Sequence, residues 1–174
     1  VNKITTPQAP EGFSLVNHLK FDGSFPTANG TTFPYNGGWT NLTTSGTGVT
    51  WRTVASGSYP TNAPNSAPAL AEFNSYGYGS GNSAALITPP FSRTGEGESN
   101  IMSLWLYRHN AYPTNPGGVL KVWMNTTPTM TDAVQLNVNG YDNANEINVL
   151  LGVGAVTAPA AGWYQYSYTI PAQF

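Results

Sequence analysis

At 174 residues the chain has room for one domain with a real core, and its 40% hydrophobic and 13% aromatic content sets it apart from a disordered tail. Charged residues make up 8%, against roughly 25% in an average soluble domain, so the surface has to be carried by Asn, Thr, Ser, Gly and Tyr. A net charge of −2 offers no basic footprint for nucleic acid or an anionic membrane, the absence of cysteine excludes disulfides, and no apolar run approaches the ~20 residues of a membrane helix.

In chain order, residues 1–13 read as an N-terminal extension or linker, and 14–174 as a single domain without repeats. The first residue is Val rather than Met, which points to a processed or excised piece of something longer. No stretch keeps helical spacing for three turns, whereas period-two and doubly apolar runs recur between 19 Gly and 14 Pro. Strands are expected at 14–21, 48–54, 83–89, 101–109, 119–125, 146–153 and 163–170, with secondary candidates at 37–43, 69–73 and 133–138. About ten strands with turn signals between them predict an all-β fold: a two-sheet antiparallel β-sandwich of the jelly-roll kind with almost no helix.

Alternation assigns faces within these strands. In 163–170, Tyr164, Tyr166, Tyr168 and Ile170 fall on one side and Trp163, Gln165, Ser167 and Thr169 on the other. In 101–109, Met102, Leu104 and Leu106 share one face, and Trp105 and Tyr107 the other, so a loop is expected over the second face. Trp51, Trp105, Trp123 and Trp163 all lie in strands and are expected in the core. The connecting segments 55–68, with three prolines and little that could form a strand, and 74–82, with three glycines and two tyrosines, are long enough to suggest function.

Catalytic chemistry finds little support. No Gly-x-Ser-x-Gly stands between a strand and a helix, and "GYGSG" (77–81) is followed by no helical pattern. Glu96 and Glu98 sit one residue apart on a Gly-rich turn, whereas glycoside hydrolysis takes its carboxyls from opposite walls of a cleft. His18 and His109 lie inside strand patterns, where a hydrogen-bonded strand histidine is the plainer reading than a base or a metal ligand. A hard cation is a better fit than zinc. Asp22 in "KFDG" could anchor calcium, the simpler reading being an Asx turn with Gly23. Three Asn-x-Ser/Thr triplets, at Asn29, Asn41 and Asn125, are expected by chance in so Asn- and Thr-rich a chain.

Aromatic loop residues carry the other possibility. Sugars stack their apolar ring faces on flat side chains while nearby amides and carboxylates bond the hydroxyls. Tyr59, Tyr76, Tyr78 and Tyr112 stand in Gly/Pro/Asn loops and are the expected ligand-binding residues, with plain loop packing as the alternative.

The strings "PYNGGWT" (34–40), "TWRTV" (50–54), "PALAEFNSYGYGSGNSAALITPPF" (68–91), "IMSLWLYRH" (101–109), "VLKVWMNTTPTMTDAVQL" (119–136) and "GWYQYSYTIP" (162–171) resemble, in order and spacing, the MAM-like jelly-roll domains of the cleaved-adhesin and choice-of-anchor group. That group occurs in bacterial surface proteins exported by the type IX route, and the resemblance spans about residues 14–171. It implies adhesion or carbohydrate binding, and often a calcium ion held in part by the acidic residue after the first strand's Phe, here Asp22. Gly117 and Gly118 stand where many members have an Asp before the Val-x-Val strand. Members also continue beyond the late Tyr strand. Residues 14–174 are therefore expected to lack the last strand or strands, supplied by continuation of the parent chain or donated by another subunit to an otherwise bare edge.

These observations converge on a secreted, non-catalytic adhesion or glycan-binding module at the bacterial cell surface. Its expected partners are a surface glycan or a host or cell-surface protein, beside the other domains of its parent chain, with no nucleic acid and no membrane insertion. A structural spacer or filament subunit, and an accessory domain of a secreted hydrolase, are the alternatives.

Overall fold

The computed structural model describes residues 38–48, 50–58, 60–75, 78–91, 100–110 and 118–174. The strand expected at 14–21 lies outside them. The described chain is all-β, in the order β1 (Thr40–Ser45), β2 (Trp51–Val54), β3 (Gly57–Ser58), β4 (Thr61–Asn62), β5 (Leu70–Phe73), β6 (Ser83–Ile87), β7 (Ile101–Arg108), β8 (Val119–Leu120), β9 (Trp123–Met124), β10 (Val134–Gln135), β11 (Ile147–Asn148) and β12 (Gly162–Thr169). Pairing is antiparallel and two by two: β1 with β6, β2 with β5, β3 with β4, β7 with β12, β8 with β11, β9 with β10. The sheets among the described residues are thus small and open. No helix among them is long and apolar enough to cross a membrane.

The β7/β12 ribbon runs in unbroken register from Gly162 opposite Arg108 to Thr169 opposite Ile101. Its inward face carries one of the two sets that alternation separates. Tyr166, Tyr168 and Ile170 are buried with Leu136, Val138, Ala144, Ile147 and Val156, and Met102, Leu104, Leu106 and Tyr164 pack against them. On its other side β12 meets Val138, through an isolated bridge to Tyr168 and the bond from Asn139 N to Ser167 O at 2.9 Å. At that point the edge expected to be bare is covered by the chain's own 136–139 segment.

Several strands are shorter than their apolar runs. The run 119–125 splits because it changes partner: Val119 and Leu120 pair with β11, Trp123 and Met124 with β10. The run 146–153 breaks after β11, where Leu150 leaves to bridge His109 and Gly152 and Gly154 turn with φ of +70° and +78°. Segment 55–68 departs from expectation in the other direction, since it contains the β3/β4 hairpin. Polar side chains supply what its prolines lack. Ser56 Oγ donates to Asn62 O at 3.1 Å, and Ser58 N to Glu72 Oε2 at 3.1 Å, while Glu72 also takes a two-pronged contact from Arg52.

The tryptophans correct the expectation of a core of strand indoles. Trp105 is 47% and Trp123 41% exposed, and Trp51 and Trp163 are half-buried; the buried indole is Trp39, at 8%. The reason is the two-residue period. Met124 and the Met102/Leu104/Leu106 set take the inward positions, which turns Trp123 and Trp105 outward.

Burial, and secondarily the neighbouring Tyr166, push the Tyr168 hydroxyl up from 10.0 to about 12. A raised acid pKa means that the folded state holds its proton longer than the unfolded chain does. This contribution to stability is therefore intact below pH 10.0 and lost as the pH rises to about 12. Urea midpoints measured across that window are expected to fall with pH, and to fall less in Tyr168→Phe. Equal pH slopes in the two proteins would contradict the assignment.

Candidate functional site

Of the four tyrosines expected to bind ligand, Tyr59, Tyr76 and Tyr112 lie outside the described residues, as do Asp22, His18, Glu96 and Glu98. Tyr78 is described and is 45% exposed. Its backbone N–H bonds Ser75 O at 3.1 Å, and its ring lies against Gly48, where an added Cβ would come within 3.1 Å of it. Gly48 has φ +82°, so the β1–β2 turn both requires glycine and leaves the space that the ring fills. Among the described residues, no three His, Asp or Glu side chains are grouped to hold a metal ion. His109 follows β7 directly, with its backbone bonded to Val149 O and Leu151 N.

A more developed arrangement occupies the outward face of the β7/β12 ribbon. The register sets Tyr107 opposite Trp163, Trp105 opposite Gln165, Ser103 opposite Ser167 and Ile101 opposite Thr169. Tyr107 and Trp163 meet edge to face, with ring centroids 5.5 Å apart and planes at 73°. Trp163 Nε1 donates to Ala63 O at 2.9 Å, which ties the indole to the segment just after β4. The loop expected over this face therefore reaches it at its Trp163 end, while Trp105 stays open. Gln165 Nε2 donates to Ser103 Oγ at 3.2 Å, and Thr169 Oγ1 to Asn139 Oδ1 at 3.0 Å.

Chemically, the face is an aromatic step bordered by amides and hydroxyls. None of its eight strand residues is charged. Trp105 offers a π surface held from the strand backbone, and Gln165 and Ser103 hold donors and acceptors beside it. Such a surface suits a neutral ligand with apolar ring faces and a hydroxyl rim. It offers nothing to neutralise a phosphate or a carboxylate.

The sequence pattern placed Trp105 in the core and pointed to loop aromatics, so it did not single out this exposed strand indole. A signal was present, since a strand with Met and Leu on one face and Trp and Tyr on the other cannot bury both unless something covers the second. The asparagines of two Asn-x-Ser/Thr triplets serve the fold. Asn41 Oδ1 accepts from Trp51 N at 3.3 Å, and Asn125 Nδ2 donates to Thr129 O and Thr131 O at 2.9 and 2.7 Å.

No family model, no curated protein and no solved structure matches the chain, and the reading of this face rests on its own residues.

Proposed function

We propose that the protein is a non-catalytic glycan-binding or adhesion module, a two-sheet jelly roll exported to the bacterial surface, whose ligand is a neutral polysaccharide. One observation carries the reading: the outward face of β7/β12 joins an open Trp105 to Tyr107, Trp163, Gln165 and Ser103 without a charged side chain. The antiparallel pairs and the inward packing of alternate strand residues support the jelly roll, and the sequence resemblance supports the surface location. The calcium ion of this reading rests on Asp22 and on that resemblance.

An array of neutral and acidic polysaccharides, probed with the intact chain in calcium and again in EDTA, tests it. Binding is expected to neutral glycans, and a loss in EDTA would retain the calcium. A chain that binds none of them is a spacer, and a chain that binds acidic glycans alone uses some other surface.

A further inference from the structure

Away from the β7/β12 face, the segments on either side of β11 border a half-open surface cavity of about 270 Å³. Asn143, Asn145, Glu146 and Asn148 line one side, and Val153 and Gly154 the other. Both walls are anchored in the core. On the first, Ala144 is buried and its carbonyl accepts from Val138 N at 2.7 Å, while Asn145 O accepts from Gln135 Nε2 at 2.7 Å. On the second, the carbonyls of Leu150 and Val156, which bracket the Val153 turn, are both held by Arg108 Nη2, at 2.7 and 2.9 Å. Walls fixed in advance lower the ordering cost of binding.

The lining also selects. The side chains of Asn143 and Asn145 have no hydrogen-bond partner among the described residues, so two amides, each donor and acceptor, remain available to a ligand. Glu146 is the one ionisable lining residue, and its charge is offset by Lys121 Nζ at 3.3 Å. Paired donors and acceptors without net charge match vicinal hydroxyls. They do not match an anion, nor calcium, which takes six to eight oxygens with uncompensated carboxylates among them. The volume lies just below the ~300 Å³ at which ligand pockets begin, which is room for one ring and not for a chain. An added Cβ at Gly154 would meet nothing within 4 Å, and Val153 supplies an apolar wall.

We infer that this cavity is a second binding site, for a single neutral sugar ring such as a chain end. The ligand class rests on the glycan reading above; the site itself does not depend on Trp105.

The test is a titration of the isotope-labelled intact chain, followed by amide resonances, with glucose, galactose, mannose and N-acetylglucosamine, and in parallel with glucuronate and calcium chloride. At least one neutral sugar is expected to shift the resonances of 143–155 saturably. The dissociation constant should be on the order of 1 mM, as a ligand of about a dozen non-hydrogen atoms gives at modest efficiency. Asn143 has φ +54°, so Asn143→Gly removes its amide without straining the turn. Combined with Asn145→Ala, it should weaken binding by about tenfold or more, whereas Trp105→Ala leaves this titration unchanged. The site is refuted if no neutral sugar shifts these resonances, if glucuronate or calcium does so instead, or if the shifts centre on Trp105 and Trp163. Polysaccharide binding that needs Trp105, beside a silent cavity, would refute this site and leave the glycan reading standing.

Discussion

Replacing Arg108 with alanine is expected to destabilise the native state by about 4 kcal/mol, a large share of the ~5–15 kcal/mol that holds a typical domain together. Arg108 is fully buried at the end of β7. Its Nη1 donates to Tyr166 Oη at 2.8 Å, its Nη2 to Leu150 O and Val156 O, and its Nε has no partner among the described residues. No ion pair neutralises it among the described residues. Two effects oppose each other. Truncation relieves the desolvation of an unpaired guanidinium, which is worth several kcal/mol. Against that, it strips three buried acceptors of their donor at about 1–3 kcal/mol each and leaves a void costing about 2–5 kcal/mol. The losses exceed the relief. Urea unfolding measures the difference, and Arg108→Met, which fills the space without the donors, separates the two terms. If Arg108→Met is as stable as the parent, the hydrogen bonds do no more than offset the desolvation of the guanidinium, and the loss in Arg108→Ala is that of the void.

Truncating the open indole should act on binding and spare the fold. For Trp105→Ala with Gln165→Ala, polysaccharide affinity is expected to fall by about tenfold, since one stacking contact contributes ~0.5–1.5 kcal/mol and one hydrogen bond about 1 kcal/mol. The unfolding midpoint should change little, because both side chains face away from the core. Trp123→Ala is the matched control. Its indole is about as exposed, but Lys121 and Glu146 form an ion pair close by in the chain and across the β8/β11 strands. Full affinity in the Trp105/Gln165 double variant would move the ligand elsewhere, and equal losses in both proteins would mean that any exposed tryptophan serves.

Much of the architecture is legible in the sequence, because a strand's period of two makes burial a local property. Alternation alone sets Tyr164, Tyr166, Tyr168 and Ile170 on one side of their strand and Met102, Leu104 and Leu106 on one side of theirs, and packing makes those the inward sides. Composition likewise dictates a surface of amides, hydroxyls and aromatic rings, since eight acids and six bases cannot cover it. Partner choice is not local. The runs 119–125 and 146–153 each read as one strand, and the fold divides them because different neighbours compete for their backbone groups. Nor does alternation say which face of a doubly apolar strand is covered. It separates Trp105 from Leu104, but only packing against Tyr166 and Tyr168 of β12, Met124, Leu136 and Val138 decides that the leucine side is the core. The same holds for Arg108: its place in the inward series of β7 follows from its position, yet a charge there is tolerated because carbonyls 42 and 48 residues later fold back to meet it. Periodicity thus determined what each strand could bury, and long-range packing and hydrogen bonding decided which face was left exposed.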